Sequence, residues 1–161
     1  MKTLLKLKEF IFINTKTKFL FIEAFLFLGW ARFLKVIPFS KVASTLGDQM
    51  NETSHEDIVS DNLKVREISH AIHIMSRFTL WESECLVKAI AGMKMLERRN
   101  IESTLYLGTA RDDTGKMIAH AWLRSGPIYI CGSEEMDKFT IVGMFAKKIS
   151  SNLSEGKSYE Q

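Results

Sequence analysis

The sequence predicts an α+β fold: a helix opening on a cysteine, packed on an antiparallel sheet and preceded by apolar helices. Three observations predict it. Between Trp81 and Arg99 apolar residues recur at steps of three and four, one face of a helix. From Thr104 to Cys131 the period falls to two, with turn residues between the runs. The first fifty residues are crowded with apolar side chains, unlike the rest of the chain.

At 161 residues the chain is expected to form one domain with a real core, and 46% hydrophobic against 25% charged residues is a globular balance. A net charge of +3 is too small to argue for nucleic acid. No strand alternates basic with aromatic residues as an RNA-binding sheet would, so nucleic acid is not an expected partner. The two cysteines, Cys85 and Cys131, imply no disulfide framework. They read as a reduced, cytoplasmic chain with one reactive thiol.

In chain order, apolar residues crowd Leu4 to Ile13 and again Phe19 to Phe39. No A-x-A-like site follows, so a signal peptide fits poorly. The window Phe19–Ile37 is long enough to span a bilayer, but Glu23, Arg32 and Lys35 are costly at depth. Helices packed on the domain or on a partner are expected, with membrane-surface association as the alternative. Pro38 should end the second helix. Lysines 2, 6, 8, 16 and 18 read as the solvated face opposite the apolar stripe. Residues 1–50 are thus expected as N-terminal apolar helices, 51–149 as the core and 150–161 as a flexible tail, with the polar run Gly47–Asn62 as the boundary.

A helix is then expected to begin near Asp57 or Asp61, with Val65, Ile68, Ile72 and Met75 on its inner face. His70 and His73 lie three apart on it, but nothing nearby completes a metal site, so they read as packed or solvated. No metal or cofactor is expected. The central helix should start between Trp81 and Glu84 and stop at Asn100, burying Leu86, Ala89, Ile90, Met93 and Leu96. Beyond it, Thr104–Gly108 and Met117–Arg124 read as strands joined by an Arg111–Lys116 turn, where Asp112 and Asp113 are turn residues. Ser125-Gly126 is the expected tight turn into a third strand, Pro127–Cys131. Phe139 to Phe145 fits a last strand or a short helix.

Cys85 falls in the first turn of the central helix, where free backbone N–H groups and the helix dipole stabilise a thiolate. Glu82 and Glu84 work against that charge. His120 lies in the strand beyond the next turn, the arrangement of a thiol nucleophile with an imidazole base. Spacing alone favours a structural cysteine and a packed histidine over catalysis.

The surrounding strings narrow the choice. Cys85-Leu86 with Ala89 leads into Leu96-Glu97-Arg98-Arg99, the strand ends at Leu107-Gly108, and Ala119-His120-Ala121-Trp122 closes the pattern. From about residue 15 to residue 145 the chain resembles the lasso-peptide leader peptidases, bacterial cysteine proteases with a transglutaminase-like, papain-like core. Arg32-Phe33-Leu34, Pro38-Phe39 and Leu46-Gly47 extend the likeness to the N-terminal half. The resemblance implies removal of the leader from a ribosomally made lasso-peptide precursor through a Cys85 acyl-enzyme that water hydrolyses. His120 is then general base and acid. The implied partners are the precursor peptide, an ATP-dependent, asparagine-synthetase-like lasso cyclase and a leader-binding (PqqD-like) protein, expected as a separate chain because the first fifty residues are too few and too apolar to be it.

In that family an aspartate on the strand after the histidine orients the ring. With a Ser125-Gly126 turn, His120 would face Cys131; with one residue more, Gly132. Neither is a carboxylate. Glu134 is the candidate orienting residue, with Glu135 and Asp137 behind it and a backbone carbonyl or a water as the alternatives. Trp122 and Trp81 are candidate substrate contacts, and Trp122 fits the core equally well. Thr79 and Trp81 are nearest for an oxyanion hole, after the backbone N–H groups at the helix start. An acyl transferase using the same thiol, and a catalytically weak scaffold, are the alternative functions.

Overall fold

A computed structural model describes residues 14–56 and 61–149. The apolar run Leu4–Ile13, Lys2, Lys6 and Lys8, a helix start at Asp57 and the tail from residue 150 lie outside them. In order come α1 (Thr15–Leu34), α2 (Phe39–Ala43), β1 (Asp48–Gln49), α3 (Asn62–Met75), α4 (Cys85–Glu97), β2 (Ser103–Arg111), β3 (Met117–Ser125), β4 (Ile128–Cys131), a 3-10 turn (Ser133–Lys138) and β5 (Thr140–Lys147). The strands form one antiparallel sheet in the order β1-β5-β2-β3-β4. Helices α3 and α4 cover one face of it, and α1 packs on those two helices.

Helix α1 starts where the Asn14 side chain accepts the Lys16 N–H at 3.1 Å. It buries Phe21, Ala24, Leu28 and Ala31, one inward stripe. Pro38 begins α2 rather than ending α1, its fixed φ of −51° suiting a helix entry. Among the described residues no helix is long and apolar enough to cross a membrane. Glu23, costly in lipid, turns instead to Arg99, with Oε2 2.6 Å from Nη2, and to Arg98 Nε at 3.2 Å.

The polar stretch after Gly47 does not separate one core from another. β1 pairs with β5, and Phe21, Leu28 and Leu46 share one buried cluster with Ile68, Ile90 and Leu123. Asp61 stands before α3, but its carboxylate takes Lys64 Nζ at 3.1 Å instead of capping the backbone. Val65, Ile68 and Ile72 are buried as the spacing predicts.

Helix α4 is the centre. The expected stripe holds at Ala89, Ile90, Met93 and Leu96, yet Val87, Ala91, Gly92 and Met95 are buried as well, because α1, α3 and the sheet surround it. Gly92 lets the sheet close in: a Cβ there would lie 2.9 Å from Leu123 Cδ2. Leu123 and Ala121 therefore face the helices. Trp122 and Arg124 point to the other face, where Trp122 stacks on Tyr106 at 5.5 Å and Arg124 lies over the same ring.

The β3–β4 hairpin differs from the expected register. Ser125 pairs with Ile128, so the loop is Gly126-Pro127, with Gly126 at φ +52° as the first position of such a loop needs. A bulge between Leu123 and Arg124 then sets Leu123, not His120, opposite Cys131. The β2–β3 turn is as predicted, Asp112 Oδ1 accepting from Thr114 N, Thr114 Oγ1 and Lys116 N.

Candidate active site

Cys85 is the first residue of α4, half-buried, with Glu84 in extended backbone before it. The loop that delivers it is held by one hydroxyl. Thr79 Oγ1 lies 2.9 Å from Trp81 O, 3.0 Å from Ser76 O and 2.8 Å from Ser83 Oγ. That engagement makes Thr79 a loop tie. Trp81 packs on Phe25 of α1 at 5.2 Å and against Gly29, a half-buried anchor of the same loop.

Lys35, at the end of α1, answers the two acids beside the thiol. Its Nζ is 2.9 Å from Glu84 Oε2 and 4.0 Å from Glu82 Oε2. The Lys35 hydrogen bond holds the Glu84 carboxyl below the usual carboxylate range. The lysine thus offsets the negative charge of the two acids that precede the thiol in sequence. Lys35→Met is expected to slow iodoacetamide alkylation of Cys85 at neutral pH about two- to threefold, a modest change because the groups are half-exposed. Adding Glu84→Gln should restore the rate. The assay reads Cys85 alone, since Cys131 is buried and its thiol is pushed up to about 12 by burial.

Cys131 closes β4 beside α4, near enough to Cys85, Lys88 and Glu134 to feel their charges. The next residue, Gly132, takes φ +79°, and a Cβ there would run into the Ala121 carbonyl. This left-handed turn aims the Gly132 carbonyl at His120, whose Nε2 lies 2.8 Å from it. A carbonyl can only accept, so Nε2 carries the proton and, in the neutral ring, Nδ1 is the basic nitrogen. The ring sits between Phe139, 4.9 Å away, and Trp122, 5.9 Å away.

The remaining sequence candidates fall elsewhere. Glu134 Oε1 lies 3.9 Å from His73 Nε2 on α3, while the Nε2 of His120 meets the Gly132 carbonyl, the backbone alternative to a carboxylate orienter. Glu135 pairs with Lys138 at 2.8 Å. Trp122 is only 3% exposed and offers a peptide no surface; it is the wall behind His120. Gly108, opposite His120 on β2, keeps that wall tight, for a Cβ would lie 2.8 Å from Phe139 Cβ and 2.9 Å from the Trp122 ring. Gly108→Ala is expected to cost about 1–2 kcal/mol in urea unfolding by overpacking. Among the described residues no hydrogen bond joins the Cys85 thiol to His120, and no group of three or more His, Cys, Asp or Glu side chains could hold a metal. The sequence alone does not reveal Lys35, which lies 49 positions from Glu84.

A helix opening on cysteine, packed on an antiparallel sheet whose inner strand carries histidine, defines a thiol-enzyme scaffold. A profile of the Transglutaminase-like superfamily matches residues 29–144, from within α1 to β5, and the chain belongs to that superfamily. Its usual activities are those of cysteine peptidases and transglutaminases, both proceeding through a thiol. No curated protein and no solved structure matches the chain.

Proposed function

We propose that the protein is a cysteine peptidase that removes the leader from a ribosomally made lasso-peptide precursor. The observation that carries the thiol chemistry is the His120–Gly132 hydrogen bond, which fixes the tautomer a general base needs while Cys85 opens α4. The peptide class rests on the strings around Cys85 and His120, which resemble the leader peptidases.

In this mechanism Nδ1 of His120 takes the Cys85 proton as Sγ attacks the scissile carbonyl. Backbone N–H groups at the start of α4 receive the oxyanion. His120 returns the proton to the leaving amine, which departs as the core peptide, and a thioester to the leader remains. Water, deprotonated by the same nitrogen, releases the leader carboxylate and restores the thiol. Gly132 stands where the family has a carboxylate: it orients the ring but adds no charge to stabilise an imidazolium. The leader-binding protein and the ATP-dependent cyclase are separate partners in this proposal.

Mass spectrometry of precursor incubated with the protein and its leader-binding partner tests it. Leader and core fragments that disappear in Cys85→Ala are expected. A mass gain with added amine would make the protein an acyl transferase, as the superfamily also allows. Full processing by Cys85→Ala would leave it a scaffold.

A further inference from the structure

The outward face of α1 is a continuous apolar strip. Phe19, Ile22, Leu26, Trp30 and Phe33 fall at steps of three and four along it and are 40–68% exposed. They lie opposite the buried stripe of Phe21, Ala24, Leu28 and Ala31, so the helix is apolar on two sides. At the rise of an α-helix the strip is about 20 Å long. Large apolar side chains scattered singly need no explanation, but five in one row mark an interaction surface.

Charge says what it meets. Glu23, the one acid on α1, is taken inward by Arg98 and Arg99, and Arg32 turns away from the strip toward Glu84. Lys16 is exposed at the strip's start, and Arg98, itself largely exposed, borders its flank over the Phe27 ring. The sequence just before α1 adds Lys2, Lys6 and Lys8 against Glu9. Phe, Leu, Ile and Trp in a row with cations along the border match an anionic lipid interface, where the rings enter the acyl boundary and the cations meet headgroups. A second copy of this chain would set the same cationic border against itself. Crossing the bilayer is not required, since the opposite side of α1 is committed to the core. We propose that α1 seats the protein on the surface of an anionic membrane, its strip lying parallel to the bilayer.

Co-sedimentation of the full chain with phosphatidylcholine vesicles, with and without phosphatidylserine, tests this. Binding is expected only with phosphatidylserine and should weaken in high salt. Leu26→Glu with Phe33→Glu, both at exposed positions, should cut the bound fraction at least about fivefold with an unchanged circular dichroism spectrum. Trp30 provides a second readout independent of that variant: its emission should shift to the blue on adding anionic vesicles, and Trp30→Phe should remove the shift. Equal binding to both vesicle types, or binding that ignores the double variant and leaves Trp30 unshifted, overturns the proposal. So does a protein that binds no vesicles, whether monomeric or a dimer that the double variant dissociates.

Discussion

Replacing His120 with alanine is expected to slow leader release by at least about a thousandfold, measured in single turnover by mass spectrometry. In the proposed mechanism the ring supplies both proton transfers. Nε2 is committed to the Gly132 carbonyl, Glu134 is directed to His73, and Glu135 is paired with Lys138. The fold should survive, because the ring is only half-buried and its loss removes one stacking layer between Phe139 and Trp122. His120→Gln should be as inactive as alanine, since an amide that keeps the bond to Gly132 still has no basic nitrogen. A His120→Ala protein that releases the leader at the wild-type rate would reduce His120 to a packing residue.

How far the site is legible in the sequence depends on which atoms build it. Cys85 at a helix start and His120 in a strand are legible because periodicity places both. The buried stripe of α4 is wider than its period suggests, since a period shows which residues face a neighbour but not that α1, α3 and the sheet enclose the helix together. The hairpin register is not legible because both Ser125-Gly126 and Gly126-Pro127 are acceptable loops by residue type, and the bulge at Leu123–Arg124 has no sequence mark. Glu134 is the candidate that nearness in sequence favours, but the 3-10 turn Ser133–Lys138 carries its carboxylate to α3. What holds His120 is a backbone carbonyl, which every residue has. The only trace of it in the sequence is Gly132 itself, required by φ +79°. Phe139–Phe145 could be a strand or a helix as written; pairing of β5 with both β1 and β2 decides for the strand.

Arg124→Met is expected to lower stability by about 3–4 kcal/mol, read from the urea midpoint. Arg124 is 1% exposed on the sheet face away from the helices. Its Nε donates to Tyr106 Oη at 3.0 Å, Nη1 to the carbonyls of Ser54 at 3.0 Å and Gly126 at 2.7 Å, and Nη2 to the Thr53 carbonyl at 3.0 Å. Balancing charge comes through Tyr106, whose hydroxyl hydrogen-bonds Glu52 and holds that carboxyl below its usual range, with Arg124 adding to the effect. Replacing a buried ion by an apolar residue can be neutral, because the cost of desolvating the charge disappears with it. Here the acceptors decide otherwise: three are backbone carbonyls that stay behind, and only the guanidinium reaches them all. The segment before α3 should therefore peel from the sheet, although Thr53 keeps its 2.9 Å bond to Thr104 Oγ1. Limited proteolysis near Ser54 should accelerate in parallel with the lost stability. Arg124→Lys should fall between the two, since one ammonium cannot span all four acceptors. A loss below about 1 kcal/mol in Arg124→Met would mean that water replaces the guanidinium, and that the segment is held by its Thr53–Thr104 contacts instead.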